Sequence, residues 1–170
     1  MTHIVTLRLD EDSQRFFEQQ RRQFYPVELD QISAHLTLFH RIEASPQVKA
    51  VLAGAARRQT FQLEVTGLRS LGRGVAYVMA SKAAQGVHAE LADAFADQLT
   101  AQDRQPFAPH VVVQNKAAPT QAKDLLLSLR EQFTPFAVSG VALDLWNYLG
   151  GPWSLEDSFS FQRLDGTDPD

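Results

Sequence analysis

The same order of elements occurs twice in this chain at the same spacing, and that repeat narrows the folds open to it. Ile4-Val5-Thr6-Leu7-Arg8-Leu9 reads as a strand, and Asp10-Glu11-Asp12-Ser13 suits a helix start, where side-chain oxygens and negative charge meet free backbone N–H groups. A helix over 13–24 should use Phe16, Phe17 and Phe24 as contacts and stop at Pro26. A strand at His35, a helix over 47–59 behind Pro46 and a strand over 61–65 follow. From Gly74 the events start over: a strand over 75–80, a helix over 85–99 with Val87, Leu91, Phe95 and Leu99 on one stripe, and a strand at His110. A helix over 119–132 with Leu125, Leu126 and Leu129 inward and a strand opening at Phe136 complete the second run. Phe61 follows His35 by 26 positions, and Phe136 follows His110 by the same interval. The agreement predicts an internal duplication, with halves of about 1–72 and 73–164 in a single domain over 1–170.

The remainder, 141–161, reads as a hairpin turning at Gly150-Gly151-Pro152. Its aromatics (Trp146, Tyr148, Trp153, Phe159 and Phe161) are expected to pack on a sheet rather than to form a platform for bases. The tail 165–170 should be flexible. Disorder elsewhere is unexpected, because 44% hydrophobic and 21% charged residues are ordinary globular values.

Several function classes drop out on composition. A net charge of -4 argues against holding long nucleic acid by charge alone, a mode that needs many phosphate-neutralising Lys and Arg. The absence of cysteine removes disulfides, zinc thiolates and Cys nucleophiles. Neither a leader-like start nor an 18-residue apolar span occurs, so no membrane partner is expected and a cytoplasmic monomer is the default expectation.

The candidate chemistry lies in the two histidine strands. In Ser33-Ala34-His35-Leu36-Thr37-Leu38-Phe39-His40-Arg41, period two puts Leu36, Leu38 and Ile42 on one side and His35, Thr37 and Phe39 on the other. An imidazole and a hydroxyl on one face can serve an anion, one moving a proton and the other donating a hydrogen bond. A plain histidine at a sheet surface is the alternative from this segment alone. The second histidine strand changes that balance. If a pseudo-two-fold relates the halves, His35 and His110 can face one cleft and flank a phosphate. The neutral imidazole then removes a proton from the attacking oxygen and the protonated one supplies the leaving oxygen, both titrating near neutral pH. No metal or other cofactor is needed if hydroxyl and backbone donors hold the developing charge.

His35-Leu36-Thr37-Leu38 resembles the His-apolar-Thr/Ser-apolar signature of the 2H phosphoesterase superfamily. Pro109-His110-Val111-Val112-Val113 looks like its second copy, proline included. The duplicated order and hairpin ending are similar to the 2′-5′ RNA ligase / cyclic nucleotide phosphodiesterase branch, so the resemblance spans nearly the whole chain. It implies a bilobal α+β fold with a central cleft. It also implies metal-independent opening of 2′,3′-cyclic or related phosphodiesters, or the making and breaking of 2′-5′ RNA linkages. The implied partner is a nucleotide or RNA-end phosphodiester. His35 and His110 map onto the catalytic histidines of that family, and Thr37 onto its first phosphate-binding hydroxyl.

The chain departs from the pattern at Val112, which stands where the second motif has Thr or Ser. Valine has the shape of threonine without the donor, leaving only backbone contact at that position. Losing one such donor costs on the order of 100- to 1000-fold in rate. Gln114, by alternation on the face of His110, is a candidate substitute donor, with a plain exposed glutamine as its alternative. His40 falls on the opposite face from His35 and reads as structural or exposed, and His3 and His88 read as surface residues. Arg41, Arg73 and Lys116 read as ordinary surface charges, although a cleft mouth would also suit them. No histidine spacing supports a metal site, and Gly72-Arg73-Gly74 lacks the setting of a phosphate loop. Two rivals to the enzyme remain. One is a weakly active or inactive module that binds a phosphorylated nucleotide, and the other is an interaction domain with incidental histidines.

Overall fold

The computed structural model describes residues 2–27 and 32–163; the expected tail at 165–170 lies outside them. The order is β1 (Thr2–Leu9), α1 (Glu11–Phe24), β2 (Leu36–Ile42), α2 (Pro46–Ala55), β3 (Phe61–Ser70), β4 (Val75–Ala80), α3 (Lys82–Ala94), β5 (His110–Gln114), α4 (Pro119–Gln132), β6 (Phe136–Tyr148) and β7 (Ser154–Ser160). The fold is α+β, with seven antiparallel strands and four helices among the described residues. Side-chain caps set three helix starts. Asp10 accepts from Ser13 N, Ser45 from Val48 N and Ser81 from Ala84 N. The Ser81 cap starts α3 three residues before the expected position.

The strand order is β2-β1-β6-β3-β4-β5, with β7 beside β6. Exchanging β1 with β4, β2 with β5 and β3 with β6 turns that order into its own reverse. Of the two outermost strands, β2 directly follows His35 and β5 opens with His110, and the sheet curves enough for the two strands to come into contact. One continuous core, including Phe17, Leu36, Leu52, Leu63, Leu91, Val111 and Leu143, joins the helices to one face of the sheet.

The strand at Phe136 and the one expected at Leu143 are a single strand. On one edge of β6, residues 136–140 pair with β3 and residues 142–147 with β7, while β1 takes the other edge. Gly140 sits at that handover, where a Cβ would come within 3.1 Å of the Leu7 and Phe61 side chains. The β3–β4 turn depends on a second glycine. A Cβ on Gly74 would lie 1.9 Å from the Gln114 carbonyl oxygen, so backbone has to move to admit it. Gly74→Ala is therefore expected to destabilise the protein by about 1–3 kcal/mol, read as a lowered midpoint in urea unfolding; an unchanged midpoint would contradict this packing.

Three β-bulges decide which side chains face the cleft. In β2, Leu36, Thr37 and Phe39 oppose Leu7, Thr6 and Val5, so Leu38 is an extra residue. Phe39 consequently joins Leu36 in the core rather than sharing a face with His35 and Thr37, and it is fully buried. His40 moves to the face of Thr37. In β5, His110, Val111, Val112 and Gln114 oppose Val78, Tyr77, Ala76 and Val75, so the extra residue is Val113. Gln114 thereby turns to the core side and is 3% exposed, with Oε1 unpartnered among the described residues. The expectation that it shares the face of His110 is corrected by that extra residue. The two bulges fall three positions after their histidines. A third, at Thr66 in β3, sends Leu68 to the core and Arg69 to the cleft face.

Candidate active site

His35 immediately precedes β2 and His110 opens β5, and one device holds both rings. His35 Nδ1 lies 2.7 Å from the Ser33 carbonyl oxygen, and His110 Nδ1 lies 2.8 Å from that of Ala108. A carbonyl only accepts, so each Nδ1 carries the proton and each Nε2 is left for chemistry. Both rings are half-buried. Burial pushes the His35 pKa down to about 4 against the opposing Ser33 bond, with the charges of Arg21, His110 and His40 adding to the fall. His110 is also pushed down, mainly by burial, with Arg69 and His40 adding charge repulsion against the Ala108 bond. The two imidazoles thus lie within electrostatic reach of each other, and both titrate on the acid side of neutrality.

Thr37, His40, Arg69, Asp103 and His110 line one cavity of about 210 Å3. The Thr37 hydroxyl makes no hydrogen bond among the described residues and remains free to donate. His35 opens onto a larger cavity of about 400 Å3, walled by Thr6, Arg8, Asp144 and Trp146 among others. Trp153, from the β6–β7 turn, packs on the His35 ring with centroids 4.5 Å apart, and Trp146 Nε1 donates to Thr6 Oγ1 at 2.9 Å. Two hairpin aromatics therefore line the site, whereas Phe161 is buried against Phe61 as expected of sheet packing.

Val112 is half-buried on the face of His110 and offers no side-chain donor; its carbonyl accepts Arg21 Nη1 at 3.0 Å. Gln114 is turned away from the cleft and does not supply the missing donor. His40, expected to face away, instead reaches the cavity. Its Nδ1 lies 2.9 Å from Asp103 Oδ1, and the Asp103 carboxylate also accepts the backbone N–H groups of His40 and Arg41. Burial alone would raise the Asp103 pKa, but these bonds, the His40 ring foremost, hold it below the usual value.

The other histidines are not surface residues. His3 is 3% exposed, with Nε2 3.0 Å from Glu156 Oε2. His88 is stacked between Phe39 and Phe107 at 4.6 and 4.3 Å. Arg73 is a structural clamp, donating through Nε to the Ala117 carbonyl. Among the described residues no cluster of three or more His, Asp or Glu side chains could hold a metal ion. No helix among them is long and apolar enough to cross a membrane.

The 2′-5′ RNA ligase superfamily model matches residues 9–152, which include both histidine strands and β6 but end before β7. The chain belongs to the 2′-5′ RNA ligase superfamily. This is a family of 2H phosphoesterases, and membership supports a phosphoesterase. No curated protein matches the sequence. Among solved structures, TT0787 of Thermus thermophilus is 18% identical with a TM-score of 0.67, over 95% of this chain and 98% of that one. E. coli LigT complexed with 3′-AMP is 16% identical with a TM-score of 0.59, over 94% and 97%. A further structure, described as a phosphoesterase, is 16% identical with a TM-score of 0.61, over 94% and 97%. At these identities the likeness is one of fold, and it extends over nearly the full length of each chain.

Proposed function

We propose that this superfamily member is a metal-independent phosphoesterase acting on a cyclic (2′,3′-type) or 2′-5′ phosphodiester of a nucleotide or RNA end. The observation that carries the reading is the matched pair of imidazoles. Each is fixed by the carbonyl two residues earlier, leaving two Nε2 atoms available at the meeting ends of one sheet. We read the two runs, about 1–72 and 73–164, as copies that each contributed one histidine.

His35, the more strongly depressed of the two, is neutral at pH 7 and is the base. Its Nε2 takes the proton of the attacking water as that oxygen bonds to phosphorus. His110 acts from its imidazolium form, with a second proton on Nε2, and gives that proton to the leaving ribose oxygen as the P–O bond breaks. Thr37 donates to a non-bridging oxygen and meets charge as it develops. A nucleotide ligand is in keeping with the complexes of LigT, which has been crystallised with 3′-AMP, ATP and NADP+.

The second reading is a module that binds a phosphorylated nucleotide with little or no turnover, and Val112 is the observation that favours it. The test is incubation of the chain with 2′,3′-cyclic nucleotides and 2′-5′ dinucleotides in excess EDTA. Opening of one of these substrates is expected. Saturable binding without turnover across the panel would decide for the binding module.

A further inference from the structure

The row of the sheet that holds Val112 ends two strands away in a cation, Arg69. In the register of the sheet Val112 stands opposite Ala76, and Ala76 stands opposite Arg69, so the three form one row across β5, β4 and β3. The corresponding row of the other half is Thr37, Thr6 and Asp144, across β2, β1 and β6. The two rows hold opposite chemistry. Asp144 is occupied, accepting from Arg8 Nε at 2.9 Å and Ser158 Oγ at 2.7 Å. Arg69 has no hydrogen bond or ion pair among the described residues, and it lines the same cavity as Thr37 and His110. Neighbouring strands lie about 4.8 Å apart, so only the Ala76 methyl intervenes over the roughly 10 Å between the Arg69 and Val112 backbones. The next row, His110, Val78 and Gly67, ends in a glycine whose missing Cβ would meet nothing within 4 Å, which leaves room for the Arg69 stem to lean toward His110.

We propose that Arg69 is a phosphate ligand of this cleft, binding the non-bridging oxygens beside His110 in place of the second-motif hydroxyl that Val112 lacks. The inference rests on the phosphoesterase reading and adds a specific ligand to it. A guanidinium is a stronger anion donor than a hydroxyl because its hydrogen bonds are charge-assisted and can be paired on two oxygens. Repulsion from the Arg69 charge adds to the burial that lowers the His110 pKa. The same repulsion makes His110 a readier proton donor once a phosphate is bound between them.

The test compares the unmodified chain with Arg69→Met, which keeps the stem and removes the charge, and with Arg69→Met/Val112→Thr. Affinity for a nucleoside 2′-monophosphate is measured by calorimetry, and KM for the cyclic nucleotide by turnover. Arg69→Met is expected to weaken both about tenfold or more, the value of one charge-assisted hydrogen bond. Adding Val112→Thr should recover part of that loss. In NMR titration, His110 of Arg69→Met should titrate at higher pH than in the unmodified chain, a change that a merely structural arginine would not produce. Binding within twofold of the unmodified chain, in a variant with unchanged thermal unfolding, would overturn the inference and leave the phosphoesterase reading standing. An unmodified chain that neither binds nor opens any nucleotide would overturn both.

Discussion

Replacing either His35 or His110 by alanine should lower kcat for a cyclic nucleotide about 100- to 10,000-fold, the range for loss of a positioned general acid or base. The effect is expected from both residues because the proposed mechanism gives them different halves of one proton balance. Without His35 the attacking water keeps its proton, and without His110 the leaving oxygen departs as an alkoxide. The double variant should be little worse than the poorer single one, because the two groups act in one transition state. Each ring is half-buried and bonded only to a local carbonyl, so both variants should fold, as near-native melting curves would show. Nucleotide binding should survive in both. Turnover retained in either variant would mean that another group carries the proton, with His40, held by Asp103 in the same cavity, the first to examine.

The second large effect is on pH dependence. The free-enzyme profile of kcat/KM rises as the base loses its proton and falls as the acid loses its own, so it peaks between the two pKa values. The ordinary histidine value is 6.5, and both groups lie below it, His35 at about 4. The peak is therefore expected below pH 6.5. Above the pKa of the acid the profile falls about tenfold per pH unit, so that by pH 8 it should be more than roughly tenfold under its maximum. Sequence alone suggests two histidines titrating near neutrality. Burial moves both to the acid side, and the added charges of Arg21, Arg69 and His40 act in the same direction. A maximum at pH 7.5 or above would show that the two histidines are not the titrating pair in the free protein.

Much of the fold is legible because it rests on local rules. Alternation marks the start of β3, proline at the first turn marks α2 and α4, and the strand over His110–Gln114 is read without error at either end. The candidate site is proposed from the sequence for a related reason: a histidine motif repeated at a matched interval carries long-range information that a single strand lacks. Other features depend on contacts distant in sequence. The 13-residue length of β6 reflects a strand that changes partners at Gly140. The burial of His3 beside Glu156 and the stacking of His88 between two phenylalanines likewise involve residues far apart in the chain.

The two histidine strands, the order of elements around them, the α+β class and the gap at Val112 are all written in the order of residues along the chain. Which neighbours those histidines face is not, because it depends on how the strands pair. Side chains alternate strictly along a strand only while its pairing stays in register, and one extra residue reverses every face beyond it. The extra residue at Leu38 brings His40 into the cleft and sends Phe39 to the core. The one at Val113 removes Gln114 from the face of His110. The one at Thr66 puts Arg69 on the cleft face, in the same row of the sheet as Val112.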